Sequence, residues 1–186
     1  VFVFALAAVS LEKKSAYEAV YRPSGQDLTF SLLGALGLIA GCVLSFRGSI
    51  AQMLVSLLGL LAGLSLGAGA VLRWKEKKPS AAFSVFVVLF YVAKLFRDFR
   101  HWEINPAILD YCFSLFAMIA FMLASYHAGA FSFERGARRR LAFYSLLGVL
   151  FGAISLAGAQ LPELLIYAGS VFWMLACAQQ MLRRSV

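Results

Sequence analysis

The chain is poor in the residues that enzyme chemistry usually draws on. Only 14% of its 186 residues are charged, and it holds two histidines and three cysteines. Cys42, Cys112 and Cys177 stand apart, with no C-x-x-C and no nearby histidine to complete a metal-ligand spacing, so they read as small apolar packing residues. H-E-x-x-H, the phosphate-binding G-x-x-x-x-G-K-[ST] and a pair of carboxylates within one apolar run are all missing. Those absences argue against a zinc hydrolase, a nucleotide-binding loop and paired-carboxylate catalysis, and no cofactor or metal is expected. Nucleic acid is not expected either. The net charge of +8 comes from basic residues set in short clusters between apolar runs and not along a soluble face.

What the chain has in excess is hydrophobicity. Apolar residues make up 62% of it, aromatics 15%, and the mean hydropathy is +0.82, well outside ordinary globular composition. The excess falls in runs of about 20 residues, the length that crosses a hydrocarbon core of about 30 Å at 1.5 Å per residue. Six such spans are expected at 28–46, 49–72, 80–99, 106–128, 141–159 and 162–182. The opening VFVFALAAVS is half a span and reads as the tail of a first helix that begins before Val1. The expectation is therefore an all-α, polytopic transmembrane bundle of about seven helices, forming a single integral membrane domain over 1–186. The breaks are legible as RGS at 47–49, KEKKP at 75–79, Asn105-Pro106, ERGARRR at 134–140 and QLPE at 160–163. None is long enough for a soluble domain.

Charge tests that segmentation. Lys13, Lys14, Arg22, Arg73, Lys75, Lys77, Lys78, Arg135, Arg138, Arg139, Arg140, Arg183 and Arg184 fall on one side, which is thirteen of the 17 basic residues; Arg47, Lys94, Arg97 and Arg100 fall on the other. By the positive-inside rule the first side, with the C-terminus, is cytoplasmic. A plasma or bacterial inner membrane is the expected location, the latter from the compact loops. The basic loops 73–78 and 134–140 set orientation, and they also suit anionic lipid headgroups or an acidic partner. LTFSLLGALG at 28–37 and LAFYSLLGVLFG at 141–152 resemble each other, which is compatible with a duplication or with shared composition alone.

Three features stand out inside the spans. Gly59, Gly63 and Gly67 line one helix face, and Gly37/Gly41 and Gly148/Gly152 repeat the spacing elsewhere. Such faces let backbones approach closely, within the bundle or between copies of the chain. The G-x-S-x-G match at Gly63–Gly67 lacks its strand and turn, and Ser65 and His127 differ in depth, so serine catalysis is not expected. The third feature is FRDFRHWEINPAILDYC, 96–112, on the charge-poor side. Lys94 and Asp110 should both lie about 7 Å below the same boundary on consecutive antiparallel helices. They could pair, with Arg97 on nearly the face of Lys94 and Asp98 able to bond within its own helix. This cluster reads either as structural anchoring within an aromatic belt or as an outward-facing vestibule for a ligand. On balance the chain suits a non-enzymatic membrane component that senses, assists or binds a lipid or ligand. The alternative is a small transporter or channel using Lys94, Arg97 and Asp110.

Overall fold

A computed structural model of the chain describes residues 3–5, 24–46, 49–102, 108–133 and 135–182, and the side chains at 101, 102 and 108–110 are outside that description. Among the described residues there is no strand. Six long helices follow one another: α1 (Gly25–Leu44), α2 (Ile50–Trp74), α3 (Ala81–Trp102), α4 (Ile108–Ala130), α5 (Arg138–Ser155) and α6 (Leu161–Leu182). Short 3₁₀ turns, Phe131–Phe133 and Leu156–Gly158, extend α4 and α5. Five of the six are long and apolar enough to cross a membrane. The exception is α3, long enough at 22 residues but carrying Lys94, Arg97, Asp98 and Arg100 toward its C-terminal end. The half-span at the N-terminus and Arg47 lie essentially outside the described residues.

The helix ends follow from local chemistry. α2 stops at the KEKKP stretch in a Schellman motif: the Glu76 N–H donates to the Arg73 carbonyl, the Lys77 N–H to the Leu72 carbonyl at 2.9 Å, and Glu76 takes the left-handed φ of 57° that this closure requires. Ser49 caps α2 by accepting from the Gln52 N–H, and the Gln52 amide donates to the Ser45 carbonyl at 3.0 Å, tying the start of α2 to the end of α1. At the other end of the bundle, buried Arg138 donates through Nε to the Met181 carbonyl at 2.7 Å. A cation on the last carbonyls of α6 satisfies an orphan acceptor and complements the helix dipole.

The six helices close into a ring in chain order. Each packs against its neighbours in sequence, and α6 returns against α1 in the most extensive contact of all. Glycine makes that closure possible. A Cβ at Gly37 would lie 2.8 Å from the Gly169 Cα, one at Gly41 2.8 Å from the Pro162 carbonyl oxygen, and one at Gly169 2.7 Å from both the Gly34 oxygen and the Leu38 nitrogen. α1 and α6 therefore touch backbone to backbone. Gly59 and Gly63 of α2 receive Cys42, Phe90 and Ile39, while Gly148 and Gly152 of α5 receive Phe121, Met174 and Val171. Gly67 is different, because a Cβ there would meet only Ala35 at an ordinary 3.7 Å.

Large side chains fill the middle of the ring. Phe90, Tyr91, Phe121, Leu38, Met118 and Met174 are fully buried, and Tyr91 packs tilted on Phe121 at 5.5 Å between centroids. Several polar groups within this interior bond locally, as a medium without water favours. Ser125, Ser155 and Ser170 donate to carbonyls one turn back, and the Tyr91 hydroxyl donates to Ser170 Oγ at 2.8 Å. The outer surface is the inverse of a soluble protein's: Leu36, Ile50, Leu54, Leu64, Phe96 and many other large apolar side chains are exposed. That surface needs a lipid solvent, because soluble monomers do not expose apolar area on this scale.

Candidate functional site

The charged cluster sits at the end of the bundle where α3 finishes and α6 begins. Lys94 Nζ donates to Asp98 Oδ2 at 2.7 Å, one turn further along α3, and Arg97 reaches Asp98 Oδ1 through Nη2 at 2.6 Å and Nε at 2.9 Å. One carboxylate thus serves two cations. The second counter-charge comes from α6, where Glu163 Oε1 stands 3.9 Å from Lys94 Nζ and 3.8 Å from Arg97 Nη2. Burial grades steeply across the four. The Lys94 side chain is 1% exposed and that of Asp98 7%, whereas Arg97 is 26% and Glu163 44% exposed. Lys94 Nζ also lies 5.8 Å from the centre of the Tyr167 ring.

Lys94 and Arg97 therefore come together, but with Asp98 and Glu163. The expected partner Asp110 lies in the first turn of α4, and its side chain is outside the described residues. Lys94 does not reach out to a headgroup region. A counter-charge on its own helix and an aromatic face above it make burial the better alternative. Glu163 is the residue that reasoning from depth overlooked: its loop was legible, but the closeness of α6 to α3 was not. Ser65 and His127 line different spaces, which separates the only Ser/His combination considered for catalysis.

A second site was not anticipated. Between the N-terminal half of α3 and the C-terminal end of α4, at the basic end of the bundle, a groove of about 720 Å³ opens on the outer surface. Its apolar wall is Val85, Val88 and Leu89, Tyr126 and His127 line it from α4, and Phe133, Arg135 and Arg140 follow at the end where α4 gives way to α5. The helices pinch together at Gly129, where a Cβ would lie 2.8 Å from that of Ser84. His127 is held flat against Tyr144 of α5, 5.4 Å between ring centres and 9° between planes.

The turn from α4 into α5 aims the two arginines. The Arg135 N–H closes the end of α4 on the Ala130 carbonyl at 3.1 Å, and Gly136 lies over the ring of buried Phe131, an approach that leaves no room for a Cβ. The basic run then divides by role. Arg138 is buried under α6 and Arg139 is half-buried, while Arg135 and Arg140 are exposed at the groove. No Asp or Glu among the described residues lines it.

A smaller cavity of about 30 Å³ lies inside the same end of the bundle, lined by Ser65, Arg73, Ser84 and Trp173 among others. The Trp173 indole N–H is buried there without a hydrogen-bond partner, in a space large enough for one or two waters. Among the described residues no three His, Cys, Asp or Glu side chains come close enough to hold a metal ion, and Cys42, Cys112 and Cys177 are free thiols.

The chain matches no protein-family model, no curated protein and no solved structure at a significant level. Any assignment of function therefore rests on its own geometry.

Proposed function

We propose that the chain is a non-enzymatic, multi-pass component of the cell membrane that binds a membrane amphiphile in the lateral groove between α3 and α4, as a sensor or accessory subunit would. The observation that carries this reading is the groove itself. Its volume of about 720 Å³ falls within the 300–1,000 Å³ typical of ligand sites, its long wall is apolar, and its polar groups are gathered at one end, matching a molecule with a tail and a headgroup. The excess of Lys and Arg at that end supports a cytoplasmic orientation for it and for the C-terminus. The compact loops suit a bacterial inner membrane.

The test is native mass spectrometry of the protein released from mild detergent. Wild type should retain lipid. Val85→Trp, which fills the groove from an exposed position, should retain much less at unchanged helicity. A wild type that appears only as bare chain would defeat the reading.

A second reading, a small transporter or channel working through Lys94, Arg97 and Asp110, draws on the burial of Lys94, since intramembrane charges often mark a substrate path. It is weaker on two counts. Lys94 and Arg97 are balanced by Asp98 and Glu163, and Phe90, Tyr91 and Phe121 fill the bundle beneath the cluster. Proteoliposome flux that survives combined Lys94→Gln and Asp110→Asn would remove the cluster as its site.

A further inference from the structure

We infer that the occupant of the α3–α4 groove is an anionic phospholipid of the leaflet at the basic end, its acyl chain against Val85, Val88 and Leu89 and its phosphate between Arg135 and Arg140. This inference rests on the lateral-groove reading and adds to it the charge class and the leaflet. Three features point the same way.

The first is the placement of charge. Arg135 and Arg140 are both exposed at the groove mouth, and neither has an ion-pair partner among the described residues. Guanidinium groups bind phosphate oxygens through paired N–H donors. Arg138, by contrast, is committed to the Met181 carbonyl, so the two arginines at the groove are not surplus copies of a helix cap.

The second is the start of α5, on which Arg140 stands. α5 opens with Arg138, Arg139 and Arg140 and has no acid in its first turn. Arg140, exposed at the groove, adds a cation near the positive end of the helix dipole, and an anion seated beside it relieves that repulsion.

The third is the geometry of the wall. Val85 and Leu89, four residues apart on α3, are both exposed, with Val88 half-buried beside them. They make an apolar strip of about 6 Å along the helix axis that leads away from the arginines and toward the bundle's middle. Gly129 and Ser84 close the helices behind it, so the space is a lateral slot and not a passage into the core. Tyr126, also exposed, lines the slot from α4. A soluble anion would use the arginines but gain nothing from the strip, and a zwitterionic phospholipid would bring a phosphate together with a headgroup cation that the arginines repel. An anionic lipid satisfies both with no opposing cation.

The experiment is competition between phosphatidylglycerol and phosphatidylcholine, mixed equally in vesicles from which the protein is extracted and weighed by native mass spectrometry. Basic side chains near a membrane surface each favour anionic lipid by about fivefold, so wild type should carry phosphatidylglycerol over phosphatidylcholine by roughly 10- to 30-fold. Arg135→Gln/Arg140→Gln should bring the ratio to about one with the total of bound lipid little changed, and Arg135→Lys/Arg140→Lys should restore most of the preference. Both arginines are exposed, so helicity by circular dichroism should match wild type in each variant. Equal retention of the two lipids by wild type, with Val85→Trp still lowering the total, would overturn the anionic assignment and leave the groove reading standing. A total that Val85→Trp does not lower would overturn both.

Discussion

Replacing Gly169 by alanine should loosen the ring at its closure. The added Cβ would lie 2.7 Å from the Gly34 carbonyl oxygen, 2.7 Å from the Leu38 nitrogen and 2.9 Å from the Gly37 carbonyl carbon. All three are backbone atoms of α1, so no side chain can rotate away. They fall short of ordinary contact at 3.4 Å by about 0.5–0.7 Å, and the shift must be taken up by moving α1 from α6. A radial gap of that size forfeits a quarter to a half of the dispersion energy of each facing pair, across the largest helix pair in the bundle. Overpacking of this kind costs about 1–3 kcal/mol, and backbone contact over an extended seam places the expected value at about 2–3 kcal/mol.

Gly69→Ala is the matched control. It is also a mid-helix glycine, but a Cβ there meets nothing within 4 Å, so gained helix propensity should leave stability unchanged or raise it by up to about 1 kcal/mol. Unfolding of both variants in mixed micelles by titration with a denaturing detergent, read by tryptophan fluorescence, gives the comparison directly. Buried Trp173 is a local reporter, since a Cβ on Gly34 would lie 2.9 Å from its Cβ. A Gly169→Ala variant within about 0.5 kcal/mol of Gly69→Ala would refute backbone-to-backbone closure.

Two further outcomes are expected from the interior polar groups. Asp98→Ala removes the carboxylate that serves both Lys94 and Arg97 and should cost about 3–5 kcal/mol, as stranding a buried charge does; the Lys94→Met/Asp98→Ala double variant should recover a large part of that in a detergent-unfolding cycle, and strictly additive losses would exclude the pairing. Tyr91→Phe deletes the hydroxyl that donates to Ser170, while Ser170 keeps its own bond to the Ile166 carbonyl, so thermal unfolding should show a loss of about 0.5–1 kcal/mol, the usual size for an interhelical hydrogen bond in lipid.

How much of this was legible in the sequence follows the range of the physics involved. The spans were legible because crossing a bilayer sets a length and punishes charge, and because glycine, proline and basic residues mark the ends; α1 through α6 fall where the apolar runs are. α3 was legible as a helix from its apolar run, but its four charges leave it outside the five helices apolar enough to cross a membrane.

What depth along the axis cannot give is azimuth and the order of helices around the ring. Asp110 matches Lys94 in depth, yet so does Glu163, and only the return of α6 beside α1 and near α3 brings the latter within 3.9 Å. The glycine seam shows the same limit. Gly37 and Gly41 stand out by spacing, but Gly169 has no companion on its own helix and gains its meaning from α1 alone. The groove was least legible. Its wall is three unremarkable aliphatic residues, and its arginines belong to a run that topology already explains; it takes the Phe131–Gly136 turn to divide that run into buried and exposed members.

The groove is tested most directly by where lipid touches the chain. A phospholipid carrying a diazirine on its acyl chain, reconstituted with the protein and photolysed, should leave adducts concentrated on residues 81–89 of α3 and 126–133 of α4, and Val85→Trp should abolish that concentration. Adducts spread evenly over the exposed apolar faces of α1, α2 and α5 at the same depth would contradict a lipid-binding groove.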